Sequence, residues 1–137
     1  MNELPTGEVT FLLTDVEGST RLWEAESDAM RQALGEHDDL LTAAVEAHDA
    51  AVLKSKGEGD SLFAVFSTAA NAVAAAVQAQ YALAEHDWGS TPLRVRMAIH
   101  TGTAQLRDGD YYGPTVNRAA RLRAIGHGGQ ILLSSVA

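Results

Sequence analysis

The segment VLKSKGEGDSLFAVF, residues 52–66, constrains the fold more than any other stretch of this chain. An apolar run breaks into a short polar tip containing two glycines and then resumes, which is typical of a tight β-hairpin. A hairpin joins antiparallel neighbours, whereas the strands of a doubly wound sheet are parallel and are connected through helices. The hairpin therefore favours a sheet with antiparallel pairs, and its tip crowds Lys56, Glu58 and Asp60 together for a reason that needs explaining.

The first half of the chain otherwise alternates between strand-like and helix-like patterns. EVTFLLTDV predicts a short buried strand that stops at Asp15, before a loop through Gly18. Residues 19–48 carry apolar side chains at spacings of three and four, which predicts one or two amphipathic helices with an irregularity at Gly35. The alanine-rich residues 67–86, with Ser67 and Thr68 at their start, predict another helix.

The second half adds two strands, a helix and a last strand. LRVRMAIHTG alternates apolar and polar residues and predicts a half-buried strand, with TAQLRDGDYYG as its hairpin partner and a turn at Asp108-Gly109. PTVNRAARLRAI predicts a helix that starts at Pro114 and ends by Gly126, and GGQILL predicts a final strand. The order βααββαββαβ favours an α/β or α+β arrangement with helices packed on a sheet.

Composition sets limits on domain number and partners. The 137 residues, 46% of them hydrophobic, suit one domain with a substantial core. A net charge of −8 argues against a general nucleic-acid-binding surface. There is no cysteine for a disulfide or thiolate site, and neither a signal peptide nor an apolar run long enough to span a membrane is present, so we expect a cytoplasmic location with no membrane segment in this chain.

Two acids stand at places where strands are expected to end. Asp15 follows the first strand, and Asp60 precedes the second strand of the hairpin. Each alone is compatible with an ordinary turn or helix-capping role. If both strands pair in one sheet, the two carboxylates can converge on divalent cations, and a pair of such ions is typical of phosphoryl or nucleotidyl transfer. Asn117 and Arg121, four residues apart on a predicted helix, share a face, although their segment also fits an ordinary amphipathic helix.

Four segments together resemble the catalytic domains of class III adenylate and guanylate cyclases: FLLTDVEGST, KGEGDSLFAVF, RMAIHTG and DYYGPTVNRAARL. They occur in that family's order from about residue 8 to residue 133, and TDVEGST and NRAARL are similar to the actinobacterial type. The resemblance implies an α+β fold with a ferredoxin-like or palm-type sheet. It also implies that residues 1–137 are a single catalytic domain whose C-terminal hairpin, with a basic residue for the triphosphate, is missing.

The resemblance assigns the two acids to metal binding. Asp15 resembles the first metal-binding aspartate, and Asp60 resembles the second, in a Lys-x-x-Gly-Asp pattern that starts at Lys56. An alternative alignment makes Glu58 the ligand, but the spacing from Asp60 to LFAVF fits the family, so Glu58 is interpreted as a turn residue. The implied cofactors are two Mg²⁺ or Mn²⁺ ions per site.

The other site residues follow from the same resemblance. Lys56 and Asp110 resemble the pair that reads the purine, and an ammonium with a carboxylate matches the acceptor at N1 and the donor at N6 of adenine better than it matches guanine. Asn117 resembles the asparagine that orients the ribose. Arg121 resembles the arginine that stabilises charge on the α-phosphate.

The implied activity is conversion of ATP to 3′,5′-cyclic AMP and pyrophosphate in a head-to-tail homodimer with composite active sites. In this arrangement Lys56 and Asp60 serve different sites, which explains the crowded hairpin tip. The alternatives are a guanylate cyclase, a weakly active regulatory module of the same family, and a diguanylate cyclase or polymerase-palm relative, whose Gly-Gly-Asp/Glu-Glu-Phe tip is not matched here.

Overall fold

The computed structural model describes residues 4–53, 61–89, 91–108, 110–134 and 136. Within these ranges the chain forms seven strands and four helices. In chain order they are β1 (Glu8–Val16), α1 (Ser19–Ala25), α2 (Ser27–Glu46), β2 (Ala51–Leu53), β3 (Leu62–Phe66), α3 (Ala69–Glu85), β4 (Val95–Thr103), β5 (Gln105–Arg107), β6 (Asp110–Tyr112), α4 (Pro114–Ala124) and β7 (Ile131–Leu133).

The described strands form a five-stranded sheet in the order β2-β3-β1-β4-β7, beside a two-stranded β5-β6 ribbon. β1 lies in the middle of the larger sheet and pairs antiparallel with both β3 and β4. β2 and β3 pair antiparallel, which confirms the hairpin, and β7 pairs parallel with β4. The fold is therefore α+β with a mixed, palm-type sheet, as the sequence predicts.

The sheet is covered on both faces. Alternate residues of β1, β3 and β4, among them Leu12, Ala64 and Met97, pack with α2 and α3 in the larger core. Residues whose side chains point to the other face of the sheet, including Phe11, Phe63 and Val65, form a second cluster. They pack with Val116 and Ala119 of α4 and with Tyr111 of β6. Side chains that point away from α2 and α3 therefore meet α4.

This second layer explains why β4 is not half-buried as its alternating sequence predicts. Ala98 is fully buried and His100 is 6% exposed, although both lie in the register expected to face solvent. α4 packs against β4 and covers that face. Ala98 and His100 are thus interior residues beneath a helix, whereas Arg96 in the same register is half-buried.

Two other expectations differ from the structure. TAQLRDGDYYG does not pair with β4 in the described residues; β5 and β6 pair with each other, and Arg107 lies opposite Asp110 around the predicted turn. β1 and β7 occupy the two edges of β4 instead. The break in the first helical region falls at Glu26, between α1 and α2, and Gly35 continues α2 without interruption.

The N-terminus of α4 approaches β4 very closely. A Cβ atom added to Gly102 would lie 2.8 Å from Oγ1 and 2.9 Å from Cγ2 of Thr115. The Thr115 hydroxyl is itself held, because it donates to the carbonyl of Thr103 at 2.6 Å. The glycine of the RMAIHTG segment therefore lets the first turn of α4 pack directly on β4.

Candidate active site

The C-terminal end of β1 carries a buried carboxylate. Asp15 is 6% exposed and belongs to the strand, one residue before its end. It shares the register of Phe11 and Leu13, so it faces the α4 side of the sheet. Helix α1 begins after Gly18 without a side-chain cap, which excludes the helix-capping interpretation of Asp15.

Two arginines surround this carboxylate. Arg96 lies directly opposite Asp15 on β4. Its Nε donates a hydrogen bond to Oδ1 of Asp15 at 2.7 Å, and its Nη2 pairs with Oδ2. Arg123, on the last turn of α4, places its Nε 3.6 Å from the same Oδ2. Both oxygens of Asp15 therefore face guanidinium groups.

The two arginines are anchored at a second point each. Arg96 donates from Nη1 to the carbonyl of Ala124 at 3.3 Å, and Arg123 donates from Nη1 to the carbonyl of Thr14 at 3.2 Å. Sequence analysis missed both residues. The alternation of β4 puts Arg96 in the register of His100, but only the pairing register with β1 reveals that it lies opposite Asp15.

Asn117 is exposed on α4 and borders a cavity of about 200 Å³ between α4 and the β1–β3 pair. Arg123 and Ser61 line the same cavity. Lys56 and Asp60 lie outside the described residues, but Ser61 directly follows Asp60. The chain therefore enters β3 beside Asn117 and Arg123.

Arg121 is exposed and lines a different depression, together with His100, Ile125 and Ser134. Within one chain, Asn117 and Arg121 thus border different cavities although they are one helical turn apart. Neither belongs to the group of side chains that contacts Asp15 in the described residues.

Asp110 is the first residue of β6 and is partly buried. Its Oδ1 accepts a hydrogen bond from the backbone N–H of Tyr111 at 2.8 Å. The Tyr111 ring is fully buried, and its hydroxyl donates to the carbonyl of Pro5 at 2.5 Å. These contacts give Asp110 a defined position on the ribbon beside α4.

His100, from the RMAIHTG segment, lies between β4 and the segment after β7. Its Nδ1 is 2.7 Å from the hydroxyl oxygen of Ser134. Burial, reinforced by the positive charge of Arg118, lowers the pKa of His100 below its usual value of 6.5. The neutral imidazole is therefore favoured in the folded protein.

A magnesium or manganese ion would find one buried carboxylate in the described part of the chain. Asp15 offers a hard carboxylate oxygen donor, and Mg²⁺ is commonly held by one or two carboxylates that are supplemented by substrate phosphates and water. No three histidine or acidic side chains cluster in the described ranges as a complete protein cage would require. The carboxylate of Asp15 is a chemically suitable ligand for such an ion, and an ion would compete with Arg96 and Arg123 for its oxygens.

Comparison with known proteins tests the resemblance to cyclase catalytic domains. Residues 1–137 match the family described as the adenylate and guanylate cyclase catalytic domain. The chain belongs to this family. Its cyclase domain is 43% identical over 131 residues to an uncharacterised protein of Mycobacterium tuberculosis, covering 96% of this chain and 44% of that protein.

Two further relatives have assigned functions. An adenylate cyclase of Lachancea kluyveri is 32% identical over 160 residues, covering 96% of this chain and 8% of that protein. A solved structure from Trypanosoma brucei, from a structural analysis of adenylate cyclases in their monomeric state, superposes with a TM-score of 0.89 at 29% identity and covers 99% of this chain and 77% of that one. The cyclase domain thus spans less than half the length of the Mycobacterium tuberculosis and Lachancea kluyveri proteins.

Helix lengths and hydropathy give one further result. No helix in the described ranges is long and apolar enough to cross a membrane.

Proposed function

We propose that this cyclase domain is an adenylate cyclase that converts ATP to 3′,5′-cyclic AMP and pyrophosphate. The observation that carries the proposal is the buried carboxylate of Asp15 at the end of β1, facing α4, in a chain of the cyclase family. α4 also bears Asn117 and Arg121, which resemble the family's ribose- and phosphate-binding residues.

Asp15 and Asp60 would hold two Mg²⁺ or Mn²⁺ ions. Such ions, when bound, neutralise phosphate charge and favour ionisation of the ribose 3′-hydroxyl. The protein's part is to fix the carboxylates, and the rigid pairing of β1 between β3 and β4 suits Asp15 to that task.

Cyclisation needs orientation and charge stabilisation more than covalent catalysis. The 3′-oxygen attacks the α-phosphorus and loses its proton, while the bond from that phosphorus to the bridging oxygen breaks and pyrophosphate leaves. The Asn117 amide would orient the ribose for this attack. The Arg121 guanidinium would stabilise charge on the non-bridging α-phosphate oxygens, where a planar cation with several donors is well suited.

Recognition of the base would rest on Lys56 and Asp110. Adenine presents an acceptor at N1 and a donor at N6, which match an ammonium and a carboxylate respectively. Guanine presents a donor at N1 and an acceptor at O6, so the same pair would leave polar groups mismatched at a cost of about 1–3 kcal/mol. The similarity to adenylate cyclases at about 32% identity supports the same choice.

The exposed positions of Asn117 and Arg121, on cavities that Asp15 does not line, support a site shared between two subunits. In a head-to-tail homodimer, one protomer would supply Asp15 and Asp60. Its partner would supply the purine, ribose and phosphate residues.

The test is a product assay on the purified protein. With Mn²⁺ we expect cyclic AMP from ATP and about 5- to 150-fold less cyclic GMP from GTP, as a mismatch of about 1–3 kcal/mol predicts. Arg121→Ala should lower the cyclic AMP rate about 100- to 1,000-fold, the usual effect of removing one transition-state charge contact. Preferential formation of cyclic GMP, or no cyclic nucleotide from folded protein, would contradict the proposal.

A further inference from the structure

The contact of Arg123 with Asp15 differs in kind from the contact of Arg96. Arg96 donates hydrogen bonds from two nitrogens to the two carboxylate oxygens. The Arg123 Nε lies 3.6 Å from Oδ2, beyond hydrogen-bond distance, and this buried nitrogen has no hydrogen-bond acceptor among the residues that the structure describes. The interaction of Arg123 with Asp15 is therefore mainly one of charge.

The surroundings make that charge effective. The side chain of Arg123 is 17% exposed and that of Asp15 is 8% exposed, so solvent screens the pair only weakly. The Arg123 guanidinium is also tied to the backbone of β1 by its hydrogen bond to the carbonyl of Thr14. It cannot move far from the carboxylate without giving up this second contact.

We propose that Arg123 is a positioning residue that sets the affinity of Asp15 for divalent cations and links the position of α4 to their binding. The inference rests on the proposed metal-binding role of Asp15. A divalent ion and the Arg123 guanidinium are both attracted to Oδ2 and repel each other. Each ion that binds there must therefore weaken the contact between α4 and the end of β1.

This link has a direct structural meaning for the reaction. Arg123 lies on the same helix as Asn117 and Arg121, which are proposed to orient the ribose and stabilise the α-phosphate. The charge of Asp15 helps to hold α4 against β1. When a bound cation neutralises that charge, α4 is held less firmly. The occupancy of one composite site would thereby be transmitted to the residues that act in the other.

The test measures Mn²⁺ binding without nucleotide, from the electron paramagnetic resonance signal of free Mn²⁺ at increasing concentration. Arg123→Gln removes the charge and keeps a polar side chain, and we expect Mn²⁺ to bind on the order of tenfold more tightly. Arg123→Lys keeps the charge and should stay within about threefold of wild type. Arg118→Gln, the same change at an exposed position of α4, should leave the affinity unchanged.

The outcomes separate this inference from the proposed function. Asp15→Asn should weaken Mn²⁺ binding in the wild-type background and should abolish the gain in the Arg123→Gln background. Unchanged Mn²⁺ binding in Asp15→Asn would overturn the metal role itself. If Asp15→Asn weakens binding but Arg123→Gln and wild type bind equally, the metal role stands and the role of Arg123 is wrong. An equal gain in Mn²⁺ affinity in Arg118→Gln would show that the effect comes from the net charge of the protein, and it would also overturn the proposed role of Arg123. Hydrogen exchange of α4 with and without Mn²⁺ supplies the second readout, with faster exchange on Mn²⁺ addition expected in wild type and not in Arg123→Gln.

Discussion

At the scale of single residues, Asp15 stands out because a strand, its neighbour and a helix each contribute a group to its surroundings. Arg96 comes from β4, Arg123 from α4 and the carboxylate from β1. Such a buried pair is costly to break on one side only, since the remaining charge is left without a partner. Asp15→Asn is therefore the most informative substitution at this position, because Asn keeps the shape of the side chain and removes its charge.

His100 gives a prediction for the pH dependence of stability. Its pKa is lower in the folded protein than the unfolded value of about 6.5, so the unfolded chain binds the proton more readily. The stabilising contribution is therefore fully present above about pH 6.5 and is lost as the pH falls below it. Replacement by Gln, which cannot titrate, should flatten the fall in unfolding free energy below about pH 6.5, by at most about 1.4 kcal/mol per pH unit.

Urea unfolding at a series of pH values measures this effect. Arg118→Gln removes the positive charge that, together with burial, lowers the pKa of His100. The titration of His100, followed by NMR, should therefore move to higher pH in this variant. Equal pH slopes for wild type and His100→Gln would show that another group governs acid stability.

The sequence could identify Asp15 as a candidate site residue, but it could not identify the arginines that contact it. Asp15 stands at the end of an apolar run in a recognisable motif, which is local information. Arg96 and Arg123 are separated from it along the chain and reach it only through the β1–β4 register and the docking of α4. Contacts that depend on register and packing are not encoded in local spacing.

At the scale of elements, two glycines should respond oppositely to the same substitution. Gly35 lies inside α2 with open space around it, so Gly35→Ala should stabilise the protein by about 0.5–1 kcal/mol. Gly102 lies in β4 against Thr115, so Gly102→Ala should cost about 1–3 kcal/mol through overpacking.

Chemical denaturation of both variants provides the comparison, with each glycine serving as the control for the other. Stabilisation by Gly102→Ala would mean that α4 can retreat from β4 at little cost. That result would contradict the close packing of the helix on the strand.

Elements with a strong local signal were predicted well, and their partners less so. Thr68 caps α3 by accepting a hydrogen bond from the N–H of Asn71 at 3.2 Å, as its sequence indicates. β5 and β6 pair with each other on either side of residues 108–109, where the turn was predicted, but not with the predicted partner β4 in the described residues. A turn signal identifies two strands that reverse direction, whereas the edge of β4 is taken by β7, about 30 residues farther along the chain.

At the scale of the whole molecule, the proposed composite site predicts complementation between inactive variants. Asp15→Asn and Arg121→Ala would each inactivate both sites of a homodimer. A heterodimer of the two would contain one site with both defects and one intact site. After mixing under conditions that exchange subunits, cyclic AMP formation should recover to about a quarter of the wild-type rate, because half of the dimers are mixed and each has one working site of two.

Mixing two samples of the same variant is the control and should restore nothing. Heterodimers verified by differential tagging that remain inactive would argue for sites built within a single subunit.

The central position of β1 also has a consequence for how the protein is made. β1 is synthesised first among the strands, yet its partners are β3 at residues 62–66 and β4 at residues 95–103. A nascent chain on the ribosome therefore carries an apolar strand with both edges unpaired until β3 has emerged, and with one edge unpaired until β4 has emerged. The strand that organises the finished sheet is the one that waits longest for its neighbours, and this makes early synthesis the interval in which chaperone protection of the chain matters most.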